Sequence, residues 1–463
     1  MAILTDSVPE ELVELNKERV VRKAAAISLV SSSIEFYDFF LYGVAAAIIF
    51  PKVFFSGELP PLVALLAAFA TFAVGFVARP VGGIVFGHFG DTLGRKGALV
   101  TALLMMGIAT ALIGCLPPYS SIGALAPTML IVLRFVQGLA LGGQWGGAML
   151  LATENAPRHR RGFYGSFVQA GAPIGVVLAN LALLVVSASV SADDFMDWGW
   201  RIPFLLSLIL VVVALYVQLR LEETEEFRRL REAKEQRRAA AQAGMAPSPE
   251  PSGRARSPIL QVLASHPKQI ALAAGTFIAC QVAFYILIAF VVAYGANRAG
   301  LTVTRDTLLA GVLIGALVMT PSAILFGALS DRYGRKPIFI VGAVGSGLWA
   351  FALFPLIDSG QFLQIAVAIS VAQFFNAMMY GPQAAFFSEM FSTKVRYSGA
   401  SLAYQFGAIA GGAVAPLIAT ALLAASGDGF LISCYIALAA IISLVSISLL
   451  PETRWKDLAQ ADA

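Results

Sequence analysis

Charged residues are scarce in this sequence. Lys, Arg, Asp and Glu supply 13% of its 463 residues, against about a quarter in an average soluble domain. That shortage excludes a fold whose outer surface is solvated by charge. Cysteine and histidine are scarcer still. Cys115, Cys280 and Cys434 each fall in apolar stretches without a C-x-x-C pair, which excludes a disulfide framework and a zinc site. His88, His159 and His266 are scattered, so no metal site is expected and no cofactor is implied. No nucleophile–base motif is visible, which argues against an enzyme. The net charge is +4 with the basic residues spread over many loops, so no nucleic-acid partner is expected. The first 23 residues are polar and charged and lack the short apolar core of a cleavable signal peptide.

What the chain has is apolar length. Hydrophobic residues make up 58% of it, and the mean hydropathy is +0.78. Apolar runs fall at 24–50, 61–86, 97–116, 124–152, 163–188, 200–219, 269–297, 306–329, 337–357, 361–388, 399–424 and 428–450. Each is long enough to cross hydrocarbon as a helix. None shows the period-two alternation of a barrel strand. Between the sixth and seventh runs lies LRLEETEEFRRLREAKEQRR, which reads as a charged helix, followed by the Pro/Ser/Gly-rich MAPSPEPSGRARSP. The expected organisation is a segment 1–23, a six-span half 24–219, a linker 220–268, a second half 269–450 and a tail 451–463.

The basic residues predict orientation. With the amino terminus in the cytoplasm, 26 Lys and Arg fall on the inner side and four on the outer side, leaving Arg79 and Arg134 inside spans. The short loops show this bias as clearly as the linker does, so both termini are expected in the cytoplasm.

The two halves repeat each other. FGHFGDTLGRK (86–96) aligns with FGALSDRYGRK (326–336), matching Asp91, Gly94, Arg95 and Lys96 to Asp331, Gly334, Arg335 and Lys336. Glu154 precedes Arg161 by seven residues, as Glu389 precedes Arg396. Glu223–Thr224 after the sixth span matches Glu452–Thr453 after the twelfth. Parallel repeats of this kind occur in transporters whose halves rock about a midplane site.

These residues carry a family resemblance. GFVARPVGGIVFGHFGDTLGRK (75–96) resembles the signature loop of the major facilitator superfamily. With IEFYDFFLYG (34–43), RFVQGLALGGQWGGA (134–148) and ENAPRHRRGFYGSF (154–167), the chain is similar to the metabolite:proton symporters over essentially its whole length. That family includes carriers of shikimate, α-ketoglutarate, citrate and zwitterionic osmolytes. The resemblance implies an all-α membrane protein with twelve transmembrane helices, in two six-helix halves related by a pseudo-two-fold axis (the major facilitator fold). It also implies location in the bacterial inner membrane, a monomer that suffices for function, and a small anionic or zwitterionic solute as partner besides the bilayer. The family usually has Glu where this chain has Gln144, and an amide cannot carry a proton.

The charged motifs suggest a gate. Glycines and Pro80 permit tight turns between helices at the membrane edge. Asp91 is placed to accept from a helix amino terminus, and Arg95 to pair with Glu154. Asp331, Arg335 and Glu389 are expected to repeat that arrangement, with Arg161 and Arg396 beside them. In the superfamily such networks hold the cytoplasmic side closed. The plainer alternative is that these charges anchor loops.

Inside the spans, Ser28, Ser31, Glu35, Asp38 and Tyr42 share one helix face. A carboxylate within a span costs about 2.5–3.5 kcal/mol on insertion scales, which points to a cavity or proton path. Asp38 and Glu35 are the candidate proton carriers, with the proton as coupling ion. The alternative is a structural ion pair with Arg79 or Arg134. Arg134, Gln137, Leu141 and Gln144 share a face of the fourth span, where Arg134 has the fork that suits a carboxylate. The surrounding glycines, 138, 142, 143, 146 and 147, permit close helix contact. Gln169, Asn180, Gln281, Tyr285, Gln373, Asn376, Tyr380, Gln383, Tyr404 and Gln405 complete a candidate cavity lining, with Tyr42 beside it. The expected function is proton-coupled uptake of a small organic acid or related polar metabolite. Proton-antiport efflux of amphipathic compounds is the second transport reading, since GSFVQAGAPIG (165–175) partly matches an antiporter signature. A membrane nutrient sensor is the alternative from another class.

Overall fold

The computed structural model describes residues 10–93, 95–142, 145–154, 156–219, 265–298, 300–301, 303–392 and 396–454. Apolar runs in lipid must satisfy their own backbone, and each of these folds as a helix. The first half comprises α1 (Glu10–Ile48), α2 (Pro61–Leu93), α3 (Arg95–Cys115), α4 (Leu125–Glu154), α5 (Arg161–Ser189) and α6 (Arg201–Leu219). The second comprises α7 (Pro267–Asn297), α8 (Arg305–Tyr333), α9 (Arg335–Asp358), α10 (Phe362–Met390), α11 (Arg396–Ser426) and α12 (Phe430–Ser448). Ten described helices meet the length and hydropathy of a membrane span. The pair Ala192–Gly199 and Arg201–Tyr216, bent by 48°, adds one more if counted as a single span, and Val100–Cys115 is a shorter apolar helix. Most of the expected linker lies outside the described residues.

Packing follows the repeat. In the first half α1 packs on α5, α2 on α4 and α3 on α6; in the second α7 packs on α11, α8 on α10 and α9 on α12. Between the halves, α5 packs on α8 and α2 on α11, a pair of contacts that the same repeat exchanges. The outer surface is apolar: Leu348, Leu363 and Val212 are 70%, 73% and 66% exposed. Exposed side chains of this kind belong against lipid.

One sequence expectation about turns needs correction. Pro80 lies inside α2 rather than at its end. The helix runs on to Leu93 beyond the proline, and membrane helices accept an internal proline where neighbours satisfy the freed carbonyl. In the second half the turn is made by Gly334, at φ 102° and ψ 160°, backbone space essentially reserved for glycine. It lets α8 stop and α9 start within one residue.

The glycines of α4 divide by position. A side-chain carbon on Gly138 would strike the Gly75 carbonyl, and one on Gly142 the Arg79 carbonyl, so both glycines set the α2–α4 crossing. Gly146 faces Ser401 and Tyr397 of the other half, and Gly147 meets open space. Gly143 lies outside the described residues. A backbone carbonyl cannot turn away as a side chain can. The Gly138→Ala variant is therefore expected to lose about 1–3 kcal/mol, and Gly147→Ala to change little. Thermal unfolding of the two purified variants checks this.

Candidate functional site

The end of the bundle where α8 passes into α9 is rich in arginine and lysine, and is here called the basic face. A buried ion network joins the halves there. Asp331, at the end of α8, accepts from the backbone N–H of Gly162 and Phe163 at 2.8 and 2.9 Å, at the amino terminus of α5. Arg335 donates to Asp331 at 2.7 Å and to Glu389 at 2.8 and 3.2 Å. Glu389 also accepts from Thr453 Oγ1 at 2.8 Å. Glu452 caps α9 by accepting from the N–H groups of Arg335 and Lys336, both at 3.0 Å. Partial burial raises the Glu452 carboxyl, but the amides of Lys336, Arg335, Arg454 and Thr453 more than offset this and hold it below its ordinary range. It is charged at neutral pH.

In the first half Glu154 takes Arg396 of α11 at 3.0 Å, a bridge between the halves. Arg161 is buried at the start of α5. The side chains of Asp91 and Arg95 lie outside those described, as does Gln144 altogether.

At the centre, the first-span acids are buried, Glu35 at 7% and Asp38 at 1% exposure. Asp38 Oδ1 accepts from Ser207 of α6 at 2.5 Å, and the Thr110 hydroxyl of α3 is also within reach. Thr110 donates to the Met106 carbonyl at 2.9 Å. Thr110 in turn accepts from Gln137 Nε2 at 2.7 Å, and Gln137 Oε1 accepts from Arg134 at 3.0 Å. Arg134 therefore reaches Asp38 only through two intervening side chains. Among the described residues no basic group stands within ion-pair distance of Asp38, so the alternative of a structural pair with Arg79 or Arg134 is not what the fold builds there.

Arg134 is held by rings instead. Its guanidinium stands over Phe39, Tyr42 and Phe72 at 4.1, 4.2 and 4.7 Å. Tyr42 donates to Thr71 at 2.7 Å. Tyr285 of α7 packs against Phe39, Phe72 and Phe76, which brings the second half onto this cluster.

The remaining candidates fall into two groups. Gln169 of α5 donates to the Tyr380 carbonyl at 3.2 Å and to Gln383 at 3.1 Å, and accepts from Trp145 Nε1 at 3.1 Å. Trp145 stacks on Tyr404 at 3.7 Å between ring centres. These groups bridge the halves just inside the basic face, as Tyr380 and Tyr404 line up with Phe277. Gln281 is buried on the same helix as Phe277, with Gly411 of α11 against its stem. Gln373 and Asn376 bond each other at 3.4 Å within α10, and Gln405 is buried on α11. Asn180 is buried on α5 and donates to its own helix at Val176 O, 2.9 Å away. Sequence reasoning missed Ser207, Thr110 and Trp145, whose contacts arise from helices that meet only in three dimensions.

The opposite face is closed as well. Arg305 of α8 donates to Ser187 of α5 at 2.5 Å and stands over Phe195 at 4.2 Å. Phe40 meets Phe284 edge-on at 5.3 Å. Among the described residues, contacts between the halves lie on both sides of the buried central residues.

Comparison with known proteins completes the assignment. The sugar (and other) transporter family matches residues 24–463. The chain is 40% identical to the inner membrane metabolite transport protein YhjE of Escherichia coli, over 94% of this chain and 95% of that one. It is 38% identical to the shikimate transporter of the same organism, over 94% and 95%. Identity to the proline/betaine transporter of Salmonella typhimurium is 32%, over 94% and 84%. The partially occluded inward-open structure of the xylose transporter XylE from E. coli superposes with a TM-score of 0.71 at 18% identity, covering 95% of this chain and all of that one, so the fold is shared. The chain belongs to the sugar (and other) transporter family of the major facilitator superfamily, and it is a secondary transporter rather than an enzyme.

Proposed function

We propose that this transporter takes up a small organic acid or related polar metabolite together with a proton, by alternating access. The observation that carries the reading is Asp38: a carboxyl group buried in a membrane span, hydrogen-bonded to hydroxyls and paired with no cation among the described residues. Charge there is costly, and a carboxyl group that alternates between protonated and ionised forms avoids holding it throughout the cycle. Glu35, one turn away, supplies a second protonatable group. Arg134, Gln137 and Tyr42 from the first half, with Gln169, Gln281, Tyr285, Gln373, Asn376, Tyr380 and Tyr404, form the polar and aromatic lining that a small solute meets. Relatives named for shikimate and for proline and betaine support a solute of the anionic or zwitterionic class. The basic face is read as cytoplasmic, in an inner membrane, and a monomer suffices, with the proton as the sole coupling species. The gate is the Asp331, Arg335 and Glu389 network with the Glu154–Arg396 bridge.

Uptake of labelled organic acids into proteoliposomes tests this. An imposed inward-acid pH gradient is expected to drive accumulation above equilibrium, and its collapse by an uncoupler to abolish it. Uptake that ignores the gradient would remove the proton from the mechanism.

A further inference from the structure

Two buried cations have no counter-ion among the described residues. Arg79 of α2 and Arg134 of α4 are 2% and 0% exposed. Among the described residues no carboxylate stands within ion-pair distance of either. Both guanidiniums stand over the same ring, Phe39, at 4.2 and 4.1 Å, so the sum of those lengths bounds their separation. Arg79 also stands over Phe76 at 4.3 Å. Ring contacts stabilise a desolvated cation, but they give its N–H groups no acceptor.

The donors show what is missing. Arg134 uses Nη1 on Gln137 and Nε on the Phe72 carbonyl, while Nη2 meets no acceptor. On Arg79, Nε and Nη2 both lack one. Three charged donors from two helices therefore meet at Phe39 without an anion. Left so, each is a substantial penalty, and the fold retains all of them. The backbone has also been cleared for this arrangement: a side-chain carbon on Gly75 would lie 2.5 Å from Arg134 Nε and 3.0 Å from its Cζ. Tyr285, from the second half, is within electrostatic reach of both arginines.

We infer that Arg79 and Arg134 together form a carboxylate subsite, in which one carboxylate of the solute accepts from both guanidiniums beside Phe39. Charge-assisted forks of this geometry suit a carboxylate better than a neutral amide or hydroxyl. Because Tyr285 belongs to the other half, an anion at this point is felt by both halves at once. The inference rests on the reading of the solute as an organic acid, and it adds Arg79, which α2 brings to Arg134 across the Gly75–Gly138 crossing.

The test uses the purified full chain in nanodiscs. Thermal stability is measured with succinate, benzoate and cyclohexanecarboxylate, with their amides, and with chloride and sulfate. At least one carboxylate is expected to raise the unfolding temperature where its amide and the inorganic anions do not. Its apparent affinity is expected to fall about 10- to 100-fold in both Arg79→Gln and Arg134→Gln. Gly75→Val keeps both charges but displaces Arg134, and is expected to lose affinity similarly. The wild-type comparison of acid with amide stands even if a variant fails to fold. Equal effects of acids and amides, no effect of any acid, equal effects of inorganic anions, or full affinity in the arginine variants would each overturn the subsite. Carboxylate binding without gradient-driven uptake would instead overturn the symport reading and leave the subsite standing.

Discussion

Arg335→Gln is expected to open the basic face. Arg335 and Glu389 are 1% and 0% exposed, so their interaction is desolvated and its geometry is a two-point fork. Removing the arginine leaves Glu389 buried with the Thr453 hydroxyl as its remaining described partner, and frees Asp331 from one of its holds on α5. Breaking a buried pair by deleting one partner costs about 3–5 kcal/mol. That penalty is confined to the state in which the face is closed. It therefore shifts the conformational balance by at least about a hundredfold toward opening. Cys280 offers a reporter, since it is buried beside Tyr285, Tyr380 and Tyr404. In a Cys115→Ser, Cys434→Ser background, Arg335→Gln is expected to raise the alkylation rate of Cys280 by a water-soluble maleimide at least tenfold. Adding Glu389→Gln removes both charges and is expected to restore much of the protection. Unchanged labelling in the single variant would show that the network anchors loops and does not latch the halves.

Asp38→Asn is expected to abolish uphill transport while leaving downhill exchange. Asparagine has the same shape and can still accept from Ser207, so the α1–α6 contact survives the change. What it cannot do is bind and release a proton. One proton moved with each solute across a two-unit pH gradient supports up to about 100-fold accumulation, and in the variant that ratio is expected to fall to one. Counterflow of labelled against unlabelled solute separates this from loss of binding, because counterflow needs no proton release. Glu35→Gln provides the parallel measurement. If both variants still accumulate solute against a gradient, neither acid carries the proton.

These expectations draw on the sequence to different depths. The acids of the first span were legible because charge is rare in hydrocarbon and a spacing of three puts Glu35 and Asp38 on one helix face. The gate was legible in outline because the two halves repeat it, and Asp331, Arg335 and Glu389 meet as their order in the chain suggested. The Glu154–Arg396 bridge was not, because Arg396 comes from the other half and reaches Glu154 only through the approach of α11 to α4. Arg79 is visible in the sequence as an arginine within a span, where an acid is its natural partner. That no carboxylate pairs with it among the described residues appears only when α2 and α4 are brought together.

The sequence by itself determined the number of spans, because a bilayer accepts few segments other than apolar helices. It determined that the two halves are built alike, because their motifs recur in the same order. Tertiary structure alone decided which polar groups within the spans face one another. Helix spacing ranks residues on a face, but two helices can cross at many heights and angles. The crossings set by Gly138 and Gly142 decide that Arg134 meets Phe39 and Arg79 rather than Asp38.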